Sequence, residues 1–304
     1  MSLRVIAAGP LATIQDSGRF GYRAFGVPVS GPFDRRSAAL ANALAGNEVG
    51  AAVVELTGFG GVYLAEEDVA IAIAGAPMRA SVERYDGSVR AFSVPFATGL
   101  GPGDRLNLGG SAIGLRCYLA ACGGWLAPAV MGSRSSERPL VKGDLLHAMP
   151  SRFLNHRTEI GRLEPNPAPI RYADGPDVDE FVTGAFDLIE YRVGGESDRM
   201  GVRLDGPTLP IGMIADRLSI PVAPGAIQIA GGVPIVLGPA CGTMGGYPNI
   251  GYVLSSDLDR IGQARPGQVI QFKRVTINHA REIDREYRRS VAALALRLLM
   301  AVAN

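Results

Sequence analysis

The sequence predicts a mainly β protein with a few helices, organised as two similar halves, and three observations carry that expectation. Glycine (40) and proline (21) make up about a fifth of the 304 residues and follow no Gly-x-y period. Both residues interrupt helices, so a helical bundle is disfavoured. The apolar runs are short and end at glycine or proline, as strands do. The order of elements also recurs on either side of a proline-alternating segment. With 47% apolar and 19% charged residues, the chain buries a sizeable core and is not disordered.

In chain order, Asp34 opens the stretch DRRSAALANALAGN, whose Ala38, Leu40, Ala41, Leu44 and Ala45 share one face. This predicts a helix with Asp34 as N-cap and Gly46-Asn47 as its stop, packed by small alanines against a sheet. Val69 to Ala74 (VAIAIA), Arg116 to Ala121 (RCYLAA) and Pro234 to Leu237 (PIVL) read as strands. Glu164-Pro165-Asn166-Pro167-Ala168-Pro169 reads as a linker, because alternating prolines favour extended backbone. In the first half, Ser30-Gly31-Pro32-Phe33-Asp34 leads to Val53–Thr57, then Val69–Ala74, then Gly101-Pro102-Gly103-Asp104. In the second, Ser197-Asp198-Arg199-Met200-Gly201 leads to Arg217–Ile220, then Pro224-Gly225-Ala226, Pro234–Leu237 and Arg265-Pro266-Gly267-Gln268. A Pro-Gly turn feeds a strand near the end of each. The division expected is residues 1–163, residues 164–277 and a C-terminal helix over 278–304, with a cleft between the copies as the natural ligand site.

Thirty basic against twenty-nine acidic side chains leave a net charge of +1, too little to favour nucleic acid or anionic lipid. Cys117, Cys122 and Cys241 are too few and irregular for a disulfide framework, and they form no metal-ligand spacing with His147, His156 and His279; no metal is expected. The sequence holds no phosphate loop and only two lysines, Lys142 and Lys273. Gly58-Phe59-Gly60-Gly61 has no helix behind it, and no Gly-x-Ser-x-Gly elbow appears. The N-terminus lacks a signal-like apolar core, and the apolar stretch 291–303 is broken by Arg297. A cytoplasmic protein without membrane or nucleic-acid partners is expected.

What remains is a set of polar clusters set among glycines: Gln15-Asp16-Ser17-Gly18-Arg19, Ser30-Gly31-Pro32-Phe33-Asp34, Ser197-Asp198-Arg199-Met200-Gly201 and Gly245-Gly246-Tyr247-Pro248. Arginine suits bidentate grip on a carboxylate or phosphoryl group, with an adjacent Asp to hold it. Taken one at a time, Asp16 and Asp198 equally suit the capping of turns.

On these clusters the sequence resembles the biotin-dependent carboxyltransferase, or allophanate hydrolase subunit 2, family, which includes the C-type subunit of ATP-dependent 5-oxoprolinase. The resemblance runs from about Val5 to Val275. It also takes in Ala41-Asn42-Ala43-Leu44-Ala45-Gly46-Asn47 with Glu55, Tyr118-Leu119-Ala120-Ala121-Cys122-Gly123-Gly124, Pro224–Gln228 and Asp257-Leu258. It implies two cyclophilin-like β-barrel subdomains arising from an internal duplication, and a B-type companion protein that completes the active site. It also implies ATP or carboxybiotin supplied with a partner, with no covalently bound cofactor.

The expected function is that of the C-type subunit of a 5-oxoprolinase-like complex that hydrolyses an amide or lactam. The alternatives are a urea carboxylase or allophanate-type carboxyltransferase component, and a non-catalytic regulatory binding module. The expected catalytic residues are Asp16, Arg19, Glu55, Asp198, Arg199 and Tyr247. Gln15, Ser30, Asp34, Gln228, Thr243, Gly245 and Gly246 are expected to bind substrate. Each arginine is expected to be oriented by its neighbouring Asp, while Glu55 or Tyr247 moves a proton. The sequence departs from the family pattern at Ala240, Gly242 and Met244, where Asp, Gln and Thr are usual. It also lacks a Gly-rich insertion before Lys142 and has Pro221 in place of glycine.

Overall fold

The alternation Val-Ala-Ile-Ala-Ile-Ala explains the centre of the first half. In the computed structural model, which describes residues 1–150, 166–181, 184–209 and 217–303, Val69–Gly75 is a strand buried along its whole length. Val69, Ile71 and Ile73 point into a core of aliphatic side chains, while Ala70, Ala72 and Ala74 face a helix. Successive strand residues point to opposite faces, so a run of this kind suits a strand covered on both sides by partners of different size. Each β-branched side chain so buried contributes roughly 1.5–3 kcal/mol. The antiparallel neighbour Arg116–Ala121 obeys the same rule, sending Cys117, Leu119 and Ala121 to the core and Tyr118 and Ala120 to the helix. Cys117 and Cys122 therefore lie on opposite sides, and all three cysteines are free and buried.

The helix is Arg35–Leu44, capped by Asp34, whose carboxylate accepts from the Ser37 amide at 2.9 Å. Its end is a Schellman arrangement: Asn47 N–H reaches the Asn42 carbonyl, Gly46 N–H reaches the Ala43 carbonyl, and Gly46 stands at φ +73°. Asn42 and Asn47 then tie the helix end to the sheet. The Asn47 amide donates to Asn42 Oδ1 and the Ala121 carbonyl, and Asn42 donates to the carbonyls of Val49 and Ala51.

The chain forms two compact units, Met1–Arg19 with Asp34–Pro165 and Ser290–Asn304, and Phe20–Phe33 with Asn166–Arg289. The first holds a seven-stranded and a five-stranded sheet. The pairs Ser2–Ala8 with Leu11–Gln15, and Val53–Thr57 with Phe59–Ala65, each pass from one sheet to the other through a bend at Gly9-Pro10 or Gly58. A Cβ on Gly9 would lie 1.8 Å from the Phe59 carbonyl oxygen, so the corner closes only around glycine.

The second unit carries an eight-stranded sheet whose order runs from Val269–Ile270 at one end to Phe272–Arg274 at the other. A single residue separates those two strands in sequence, so the sheet returns nearly upon itself as a barrel. Its core includes Tyr172, Phe186, Tyr191 and Phe272 in mutual ring contact. The helix Ser255–Gln263 is anchored by Asp257, which pairs bidentately with Arg171 of the strand Ile170–Asp174 at 2.7 and 2.8 Å. Arg260 of that helix donates to the carbonyls of Asn166, Ala168 and Pro169. The fold is thus mainly β, with three α-helices among the described residues.

The Pro-Gly turns have one form. In Gly101–Asp104, Ala223–Ala226 and Arg265–Gln268 the last amide bonds the first carbonyl, and the glycine stands at φ +81° to +91°. Proline then glycine at the two central positions is what a type II turn requires. The expected linker lies partly outside the described residues, which resume at Asn166. The last helix is Ile277–Ala303, and no helix among the described residues is long and apolar enough to cross a membrane.

Candidate functional site

In the first unit, the register of the sheet sets Tyr118 directly opposite Glu55. The Tyr118 hydroxyl donates to Glu55 Oε2 at 2.8 Å and accepts from the Asp34 backbone amide at 2.8 Å. Arg116, two residues earlier on the same strand, places Nε 3.4 Å from Glu55 Oε1. All four residues are buried. The Asp34 carboxylate meanwhile holds the Ser37 amide and hydroxyl. Burial first, then the charges of Glu55 and Asp34, push the Tyr118 phenol well above its ordinary range, so it stays a neutral donor. The structure thus joins Asp34 and Glu55 through Tyr118, a residue to which sequence reasoning gave no role. The available signal was a phenol two places after an arginine in a strand otherwise of small and aliphatic residues, because buried polar groups need partners.

Asp16 and Arg19 are close in sequence but do different work. The Asp16 carboxylate accepts from Gly18 N at 2.9 Å, Ser133 Oγ at 2.5 Å, Arg134 N at 2.5 Å and Ser135 Oγ at 2.7 Å. Burial pushes this carboxyl up, but donation from Ser133, Arg134, Gly18 and Ser135 outweighs it and holds the group below the usual carboxylate value. Arg19 donates to the carbonyls of Ser135 and Val130. Both side chains clasp the 130–135 loop, and the expectation that Asp16 orients Arg19 is corrected on that account. Gln15, fully buried, donates to Thr13 Oγ1 and the Ser136 carbonyl at 3.0 Å each, extending the same clasp.

The second unit behaves alike. Asp198 accepts from the amides of Met200 and Gly201 at 2.7 and 3.0 Å, closing its own turn. Arg199 is buried and donates to the Gly31 carbonyl at 2.7 Å. The expected Asp198–Arg199 couple is therefore also corrected: a carboxylate that caps amides two and three residues on points away from the side chain between them. Ser30 sits next to Gly31 at φ +58°, its amide on the Pro239 carbonyl.

Gln228, Thr243, Gly245 and Gly246 gather at one place. Met244–Gly245 pairs with Ile220–Pro221, and a Cβ on Gly245 would lie 2.4 Å from Gln228 Nε2, so a side chain there would displace the amide that glycine leaves in place. Gln228 Nε2 points to the Tyr247 carbonyl at 3.5 Å. Thr243 is buried and its carbonyl accepts from Val222 N, Gly246 runs beside Ser219, and the Tyr247 ring is exposed. At the departures from the family pattern, Ala240 is buried and Met244 exposed, leaving Thr243 with the only side-chain hydroxyl between 240 and 244. No group of three or more His, Cys, Asp or Glu set to hold a metal occurs among the described residues.

The chain is 31% identical to the C-type subunit of 5-oxoprolinase from Escherichia coli, over 97% of this chain and 98% of that protein. Among solved structures it is similar to TTHA0988, at 32% identity and a TM-score of 0.80, over 90% of this chain and 56% of that one. It is also similar to the urea carboxylase of Kluyveromyces lactis, at 26% identity and a TM-score of 0.82, over 96% of this chain and 29% of that one. The chain thus spans about half of the first of these structures and under a third of the second. With residues 25–274, most of both units, also matching the family's own pattern, the chain belongs to the family of the carboxyltransferase domain, subdomain A and B.

Proposed function

We infer that the chain acts as the C-type subunit of a 5-oxoprolinase-like complex, working with a B-type companion on an amide or lactam substrate. The observation that carries this reading is the match to the C-type 5-oxoprolinase protein of Escherichia coli over nearly the whole of both chains. Urea amidolyase of Lachancea kluyveri, by contrast, is matched over only 17% of its length.

The chemistry of the two units suits the reading. An amide-like group has to be oriented and negative charge on its oxygen stabilised. Gln228, Thr243 and the Gly245-Gly246 backbone supply neutral hydrogen-bonding groups at one place. Glu55, tied to Tyr118 and Arg116, supplies a buried carboxylate for proton movement. Arg199 and Ser30 of the second unit and Asp34 of the first serve binding in this scheme. ATP or carboxybiotin comes with the companion, in keeping with a sequence that has no phosphate loop.

The test is reconstitution with a B-type companion and a lactam hydrolase, measuring ATP turnover dependent on 5-oxoproline, with urea and carboxybiotin in parallel. Turnover with 5-oxoproline is expected. Turnover only with urea and carboxybiotin would move the chain to the carboxyltransferase reading. A second reading, a non-catalytic regulatory module, is favoured by Ala240, Gly242 and Met244, which carry no polar side-chain atoms of the kind usual there. Silence in every arm, with companion binding intact, would establish it.

A further inference from the structure

Asn249 begins the strand Asn249–Val253, directly after the Gly245-Gly246-Tyr247-Pro248 run, and is fully buried. Its polar groups are engaged except at one atom. The backbone amide donates to Asp177 Oδ2 at 2.8 Å, and the backbone carbonyl accepts from Asp177 N at 3.1 Å. Side-chain Oδ1 accepts from Gly251 N at 3.2 Å, which fixes which end of the amide is nitrogen. Nδ2 has no hydrogen-bond partner. A buried donor without an acceptor costs about 1–3 kcal/mol, and such groups are rare enough to require a reason.

The register sets Asn249 directly opposite Gln228, and the ladder is bulged at this step, between Ile227 and Gln228. Bulges re-aim side chains and recur beside active sites. Ile227 and Ile229 occupy the core, so Gln228 points to the other face of its strand, under Gly245. Its Nε2 is turned to the Tyr247 carbonyl, and among the described residues no donor reaches its Oε1. Opposite residues in an antiparallel pair hold their Cβ atoms roughly 4.5–5.5 Å apart. With Ile227, Ile229 and Ile250 in the core, the unpartnered Asn249 amide and the Gln228 amide therefore project from paired positions on one face of the sheet.

We propose that Asn249 Nδ2 and Gln228 Oε1 form a donor–acceptor pair that receives a cis-amide or ureido group, the former donating to its carbonyl oxygen and the latter accepting from its N–H. A lactam and a urea both present C=O and N–H on one edge, in the complementary order. This deepens, and rests on, the amide-substrate reading above; it adds Asn249 as a specificity residue and gives Gln228 a defined role.

The test is calorimetric titration of the full chain, alone and with its companion, using 5-oxoproline, urea and the lactone analogue of 5-oxoproline as probes. Each neutral hydrogen bond lost corresponds to about a tenfold loss of affinity. The wild-type chain is expected to bind 5-oxoproline or urea, and to bind the lactone, which lacks the N–H, about tenfold less tightly than the lactam. Asn249→Leu is expected to weaken lactam or urea binding by about tenfold or more while the melting temperature stays close to that of the wild type. Should Asn249→Leu fail to fold, the lactam-to-lactone ratio on the wild type still decides. Equal binding of lactam and lactone, or wild-type affinity in Asn249→Leu, overturns this pair and leaves the amide-substrate reading standing. No binding of any probe in either setting sinks both.

Discussion

Three buried tyrosines differ only in what their hydroxyls meet, and replacing each by Phe tests whether hydrogen-bond geometry governs stability here. Tyr118, Tyr63 and Tyr191 are all fully buried. The Tyr118 hydroxyl bridges the Glu55 carboxylate and the Asp34 amide, at 2.8 Å each. Tyr63 makes one neutral bond, to the Gly60 carbonyl at 2.9 Å. Tyr191 makes none. A bond to a charged group is worth about 1.5–3 kcal/mol, a neutral one about 1 kcal/mol, and a donor left stranded in the interior adds about 1–3 kcal/mol. Tyr118→Phe should therefore cost about 3–5 kcal/mol, Tyr63→Phe about 1–2 kcal/mol, and Tyr191→Phe nothing or a slight gain. Urea denaturation at pH 7, followed by fluorescence and circular dichroism, gives the three values under one set of conditions. Burial first of all pushes all three phenols upward. The sign follows: their contribution is full below the unfolded value near 10 and declines as the pH rises beyond it. The wild type should then lose stability above about pH 10 more steeply than any of the variants. A loss for Tyr191→Phe as large as that for Tyr118→Phe would refute the reasoning, because it would mean that ring packing and not the hydroxyl sets the cost.

Two further outcomes follow from the same geometry. Asp16→Asn removes a carboxylate that four donors share and should cost about 2 kcal/mol at pH 7. Because the folded carboxyl titrates below its ordinary value, the deficit should be full above about pH 4 and shrink as the pH falls further, which melting curves between about pH 3 and 7 would check. Gly9→Ala sets a methyl group against the Phe59 carbonyl, at a built separation of 1.8 Å, so the corner must shift; a loss above about 3 kcal/mol, or insoluble expression, is expected, and a wild-type melting temperature would contradict it.

Local rules made much of the fold legible. The Val-Ala-Ile-Ala alternation, the Asp34 cap, the Gly46 stop and the Pro-Gly turns are decided by residues within a few positions of one another, so reading along the chain is enough. The same holds for the last helix, expected from residue 278 and found from Ile277. Long-range partners were not legible. Tyr118 and Glu55 are 63 positions apart and meet only because the register sets them opposite. Phe33 belongs to the core of the second unit while Asp34, its neighbour, caps a helix of the first. Adjacency misled where it was most suggestive: an Asp beside an Arg reads as an ion pair, yet the short carboxylate reaches its own turn amides before it reaches a long side chain that leaves in another direction.

That correction changes which groups are available for chemistry. Asp16 and Asp198 are committed to turns, and removing them from that work would cost the turns their acceptors. Glu55 is buried beside the Tyr118 hydroxyl and the Arg116 guanidinium, where losing either partner is expensive. The proton role proposed for Glu55 has to be met inside that network without dismantling it. Gln228 and Asn249 are different in kind. They are neutral, and each keeps a hydrogen-bonding atom unspent, so receiving a neutral amide adds bonds without dismantling any. Binding through groups of that sort gains from the hydrogen bonds formed and loses little to reorganisation, which is the physical reason to seek amide recognition at Gln228 and Asn249 and proton chemistry at Glu55.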